Sequence, residues 1–154
     1  MGISVRDGKF LSGARKVFHG YFGYADLYST TSTTLSISSA SLDELALLTS
    51  SNISVSSNNQ GLYYVDMYIP IITASSFTLG DSFDLAWYSI TDSNYPDIED
   101  YGFGHNFNPG VNETFCRHSL MLQLFSGKSY NLMIKNNCST DYYTSDGSIR
   151  IYKL

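Results

Sequence analysis

The chain has 154 residues, enough for one domain with a core of its own. Its 43% hydrophobic content excludes a disordered chain, and a net charge of -5 argues against nucleic-acid binding, which needs clustered Lys and Arg. Charged residues reach only 15%, below a globular norm of about 25%, while aromatics also reach 15%, with 13 Tyr.

Residues 1–14, "MGISVRDGKFLSGA", read as an extended segment serving as anchor or assembly contact, ahead of a single β-sandwich domain over 15–154. The segment has no signal-peptide apolar core, and Arg6 stands where N-myristoylation needs Ser or Thr. No stretch approaches the roughly 20 apolar residues that cross a bilayer. The expectation is therefore synthesis in the cytoplasm and no membrane insertion.

Candidate strands follow in close succession. Lys16 to Tyr28 is aromatic-rich, and Gly20 and Gly23 within it point to a bulge or a close backbone approach. Thr33 to Ser38 alternates on Leu35 and Ile37. "SLDELALL", residues 41–48, is the one helical pattern: Ser41 and Glu44 have capping-box spacing, and Leu42, Leu45 and Leu48 share a helical face. Ile53 to Ser56 is a short strand. Gly61 to Ile72 buries Val65, Met67 and Ile69 on one face, and its Pro70 implies an edge or a bulge. Ser82 to Ile90 turns Phe83, Leu85 and Trp87 to one side.

The segment Thr91 to Phe115 is long for a loop, and long loops tend to carry function. Asp92, Asp97, Glu99 and Asp100 offer hard oxygen ligands, but Tyr95 and Pro96 break the calcium-loop register, so a solvated acidic loop is the simpler reading. Tyr95, Asp97, Tyr101, Phe103, His105 and Asn108 set aromatic faces beside polar groups. That combination suits either a sugar or a neighbouring subunit.

Gly127-Lys128-Ser129 ends like a phosphate-binding loop, but Leu122 occupies the place of the first glycine, and two-residue alternation follows where a helix is required. Leu120 to Lys135 instead reads as a hairpin with Gly127 in its turn. Ser148 to Leu154 is the last strand. The pattern as a whole is all-β: an antiparallel sandwich or barrel of about 8–9 strands with one short helix.

Cys116 and Cys138 are too few for a zinc site and read either as one bridge or as free buried thiols. The histidines His19, His105 and His118 fall in no metal or catalytic spacing, and Cys116-Arg117-His118 lacks a third group to orient the imidazole. The sequons at Asn52, Asn112 and Asn137 are expected to stay unused. No metal site and no cofactor is expected. The tyrosine load has two readings, a binding surface or rings that cover sheet faces.

The order "GLYYVDMYI" (61–69), "LMLQLFSGKSYNLMI" (120–134) and a strand running to the C-terminus resembles the trimeric jelly-roll heads of the complement and tumour necrosis factor type. Similar heads cap viral and phage fibres. The resemblance covers residues 60–154, and "TSDGSIRIYKL" departs from the usual aromatic-then-glycine order of the last strand. It implies a homotrimer with Tyr63, Met67, Tyr130, Leu132 and Tyr152 packed about the axis. It further implies a non-enzymatic head on a virion or extracellular particle, binding a cell-surface glycan or protein receptor and meeting other virion or fibre proteins through residues 1–14. The alternatives are a structural capsid or tail decoration protein of the same fold, and a small hydrolase using His105 or His118 with Asp97 or Glu99.

Overall fold

The computed structural model describes residues 4–6, 9–12, 14–73, 82–94, 101–103 and 113–154. Within 1–14, β1 (Ser4–Arg6) and β2 (Lys9–Ser12) pair with each other. The strands that follow are β3 (Arg15–Phe22), β4 (Ala25–Leu27), β5 (Ser32–Leu35), β6 (Ile37–Asp43), β7 (Leu48–Thr49) and β8 (Asn52–Ser54). Next come β9 (Gly61–Ile72), β10 (Phe83–Ser89), β11 (Tyr101–Phe103), β12 (Glu113–Leu124), β13 (Ser129–Asn136), β14 (Tyr142–Thr144) and β15 (Gly147–Lys153).

They build two antiparallel sheets. In the front sheet β6, β3, β15, β9 and β12 lie side by side, and β14 with β4 continues alongside the end of β9 that β15 leaves uncovered. In the back sheet β11, β10 and β13 are neighbours, and the far side of β13 is shared by β5 and the β8–β7 pair. Alternate side chains from both sheets meet between them. Tyr63, Val65, Met67 and Ile69 point inward from β9, Phe83, Leu85 and Trp87 from β10, and Tyr130, Leu132 and Ile134 from β13. Each such side chain taken out of water contributes about 1.5–3 kcal/mol. Phe83 of the back sheet meets Tyr142 of the front sheet edge-on, with ring centroids 5.3 Å apart. Of the sandwich and the barrel that the alternating pattern allows, this is the sandwich.

Two local expectations are corrected. Residues 41–48 form no helix: β6 runs through Asp43, and the Asp43 carboxylate then accepts hydrogen bonds from the backbone N–H groups of Leu47 (2.7 Å) and Leu48 (3.1 Å). With Ala46 at φ 51°, the chain turns there and Leu47 drops into the core. Leu120 to Lys135 is not a hairpin, because β12 pairs with β9 in the front sheet while β13 pairs with β10 in the back one. Gly127, at φ 74°, makes a turn that carries the chain between the layers. Of the two readings of the cysteines the structure has buried thiols with no bridge between them, Cys116 on β12 of the front sheet and Cys138 just past β13 of the back one.

Candidate assembly face

The period of two that fills the core also decides what the front sheet shows to water. On β9 the residues between the buried ones are Leu62, Tyr64, Asp66 and Tyr68. Across the ladder on β12 their partners are Gln123, Met121, Ser119 and Arg117. On the other flank Tyr64, Asp66 and Tyr68 face Tyr152, Arg150 and Ser148 of β15, and these in turn face Lys16, His19 and Tyr21 of β3. The outcome is a broad outward surface of rings and thioether: Phe115 is 55% exposed, Tyr21 49% and Met121 45%, with Leu62 and Tyr68 exposed beside them. Tyr64 and Tyr152 lie 5.9 Å apart between ring centroids, and Tyr68 and Phe115 5.3 Å.

A polar row crosses this surface at mid-height. The Asp66 carboxylate accepts a hydrogen bond from the Ser119 hydroxyl (2.9 Å) and pairs with Arg117 (3.3 Å) and Arg150 (3.9 Å). Its side chain is only 14% exposed, so two guanidinium groups hold a largely covered carboxylate between them. At the end of the row His19 lies 3.4 Å from the Ser41 hydroxyl. Partial burial, then the nearby Arg150 and Lys16 charges, lower its pKa and favour the neutral ring. Rings around a satisfied charge cluster give a surface with both apolar area and register, the combination found at protein interfaces.

The residues expected at the trimer axis divide between two faces. Tyr63, Met67, Tyr130 and Leu132 are taken up by the chain's own core and leave no surface for an axis. The Tyr63 hydroxyl donates to the Asn59 carbonyl, and the Tyr130 hydroxyl accepts from the Phe125 N–H at 3.1 Å. Tyr152 lies on the outward face, against Tyr64. Both faces of β9 carry aromatic and aliphatic residues, and the set expected to turn inward, Val65, Met67 and Ile69, does so.

Tyr95, Asp97, His105 and Asn108 lie outside the described residues. For Tyr101 and Phe103 the structure describes the backbone, which as β11 pairs with Leu85 and Phe83 of β10 at the edge of the back sheet. Of the acidic loop residues, Asp92 is described, and its carboxylate binds the Lys128 ammonium at 2.6 Å and the Ser89 hydroxyl at 3.1 Å. Lys128 and Ser89 together lower the Asp92 pKa, Lys128 first. Among the described residues no group of three or more His, Cys, Asp or Glu could hold a metal ion. His118 shares the inward side of β12 with Cys116, and burial lowers its pKa. Burial also pushes the Cys116 thiol up to about 12, which keeps it protonated and unreactive at neutral pH.

No protein-family model and no curated protein matches the chain. Solved structures do. Eiger TNF from S. frugiperda is similar over 91% of this chain and 94% of its own, at 13% identity and a TM-score of 0.57. The fold is a jelly-roll β-sandwich like that of Eiger TNF. The structure of infectious bursal disease virus Gx strain matches 92% of this chain and 31% of its own, at 10% identity and a TM-score of 0.43.

Proposed function

We propose that this jelly roll is a non-enzymatic head domain that assembles as a homotrimer through the outward face of the front sheet and serves as a receptor- or glycan-binding module on a virion or fibre. The observation that carries the proposal is the continuous apolar surface of Tyr21, Leu62, Tyr68, Phe115 and Met121 around the Asp66 cluster. Solvent exposure of so many large apolar side chains on one face is costly unless another surface covers them. The same fold in the tumour necrosis factor-type heads supports a threefold arrangement.

In this proposal ligand contact falls to Tyr95, Asp97, Tyr101, Phe103, His105 and Asn108, and residues 1–14 meet other particle proteins. The buried thiol of Cys116, beside inward-facing His118, supports a non-enzymatic role over one built on that pair. The test is the double variant Phe115→Glu, Met121→Glu. Both side chains are exposed, so the variant is expected to keep the wild-type circular dichroism while its sedimentation coefficient falls to that of a single chain. An unchanged oligomer would place the interface elsewhere. Loss of glycan-array binding in Tyr101→Ala, with the oligomer intact, would support the ligand assignment.

A further inference from the structure

A second surface, at the β4–β14 end of the front sheet, goes beyond that reading. Tyr24, Asp26 and Tyr28 alternate along β4 and its flanks, so all three share one face, and β14 sets Tyr143 directly opposite Asp26. The Tyr24 hydroxyl donates to one oxygen of the Asp26 carboxylate at 2.7 Å, and the Tyr28 hydroxyl to the other at 3.4 Å. The Tyr143 ring stacks on the Tyr24 ring at 5.6 Å and 30°. Among the large apolar side chains left exposed in the described residues, Tyr24 (64%) and Tyr28 (56%) are the most exposed, and both are held in place by the same carboxylate. Preorganised rings standing in water around a charge are poor economy for folding and good geometry for recognition.

The chemistry selects the occupant. Asp26 forms no ion pair with a basic residue among the described residues, and neither does the neighbouring Asp141, which accepts the Ser29 N–H at 2.8 Å. A phenol that donates to a carboxylate becomes more electron-rich, which strengthens the attraction of its ring for a cation. The carboxylate oxygens keep acceptor capacity beyond the two phenols. A neutral sugar would leave this negative charge uncompensated, and one carboxylate with two hydroxyl donors is no metal cage. A planar guanidinium uses both features at once, stacking on a ring while its N–H fork meets the carboxylate. We propose that the Tyr24–Asp26–Tyr28–Tyr143 cluster receives an arginine side chain presented by a partner protein.

The test is protein-observed NMR titration of the full chain with N-acetyl-arginine methylamide. The controls are its uncharged isostere N-acetyl-citrulline methylamide and a panel of monosaccharides. The expected result is shifts confined to Tyr24, Asp26, Tyr28 and Tyr143, at least tenfold weaker binding of the citrulline probe, and at least tenfold weaker arginine binding by Asp26→Asn. Asp84→Asn, at another exposed carboxylate, should bind arginine as the wild type does. Equal binding of arginine and citrulline, shifts spread over all surface carboxylates, or a monosaccharide perturbing the cluster in place of arginine would overturn the proposal. So would concentration-dependent shifts there without any probe, which would give the site to a second copy of the chain. Phe115→Glu, Met121→Glu should retain arginine binding, which separates this site from the assembly face.

Discussion

Asn136 shows how much one polar side chain can hold. It is fully buried; its amide nitrogen donates to the carbonyls of Leu27 (2.8 Å) and Thr140 (2.9 Å), and its carbonyl accepts the Cys138 N–H (2.7 Å). Two stretches of backbone, the end of β4 and the turn that follows β13, are tied at one point. Asn136→Ala would strand two carbonyls and an N–H in the interior, and a loss of about 3–5 kcal/mol in urea unfolding is expected. Cys116 gives a pH signature. Its folded pKa is raised from 9.0 to about 12, so the unfolded thiol ionises first as pH rises. Its effect is absent below about pH 9, and stability falls progressively from there toward pH 12. Cys116→Ala should flatten that part of the slope in denaturation midpoints measured from pH 8 upward, whereas an unchanged slope would assign it to other groups. Gly20 was legible in the sequence as a close approach: a Cβ there would meet the Ser38 carbonyl oxygen at 2.3 Å and the Phe18 ring at 2.6 Å. Asn136 was not legible, because one Asn in a chain rich in them carries no periodic signal, and its partners are up to 109 positions away.

Among the elements, strand existence followed from alternation, and pairing did not. β9 begins and ends where its run of alternating residues does, from Gly61 to Ile72. Its Pro70 falls between Tyr68, the last partner of β15, and Ile72, the partner of β14, so the missing N–H breaks no pairing on that side. The turn at Gly127 was legible as a turn, but a short turn does not reveal that its two strands part into opposite sheets. Residues 41–48 misled because leucines spaced three apart fit a helix, while the competing Asp43 turn depends on tertiary placement. The Glu44 N–H donates to the Val17 carbonyl at 3.0 Å, a partner far along the chain. Asp43→Ala should therefore cost about 1–2 kcal/mol in chemical denaturation, the magnitude of a lost backbone cap. A helical cap lost from residues 41–48 would lower the far-ultraviolet helical signal. The structure expects that signal to stay flat.

At the scale of the whole molecule, the low charge and high tyrosine content find a common place on the front sheet. Of the two readings of the tyrosines, the fold bears on the one in which rings cover sheet faces. Tyr63 and Tyr130 fill the core, while Tyr21, Tyr64, Tyr68 and Tyr152 cover the outward face. The all-β antiparallel class was legible from strands separated by polar turns, and the jelly roll only from the resemblance of residues 60–154. The composition of the face was legible only in part: Asp66 marks the outward side of β9, but which strands flank it, and so which side chains join it there, depends on pairing. The central claim is that this face is covered by other copies of the chain. Light scattering of the full chain, and of a form lacking residues 1–14, measures it most directly. The expected mass is three times 17.2 kDa for the full chain, and a trimer of correspondingly lower mass without the N-terminal segment. A single-chain mass of 17.2 kDa at all concentrations would contradict the claim and leave the outward face to a different partner.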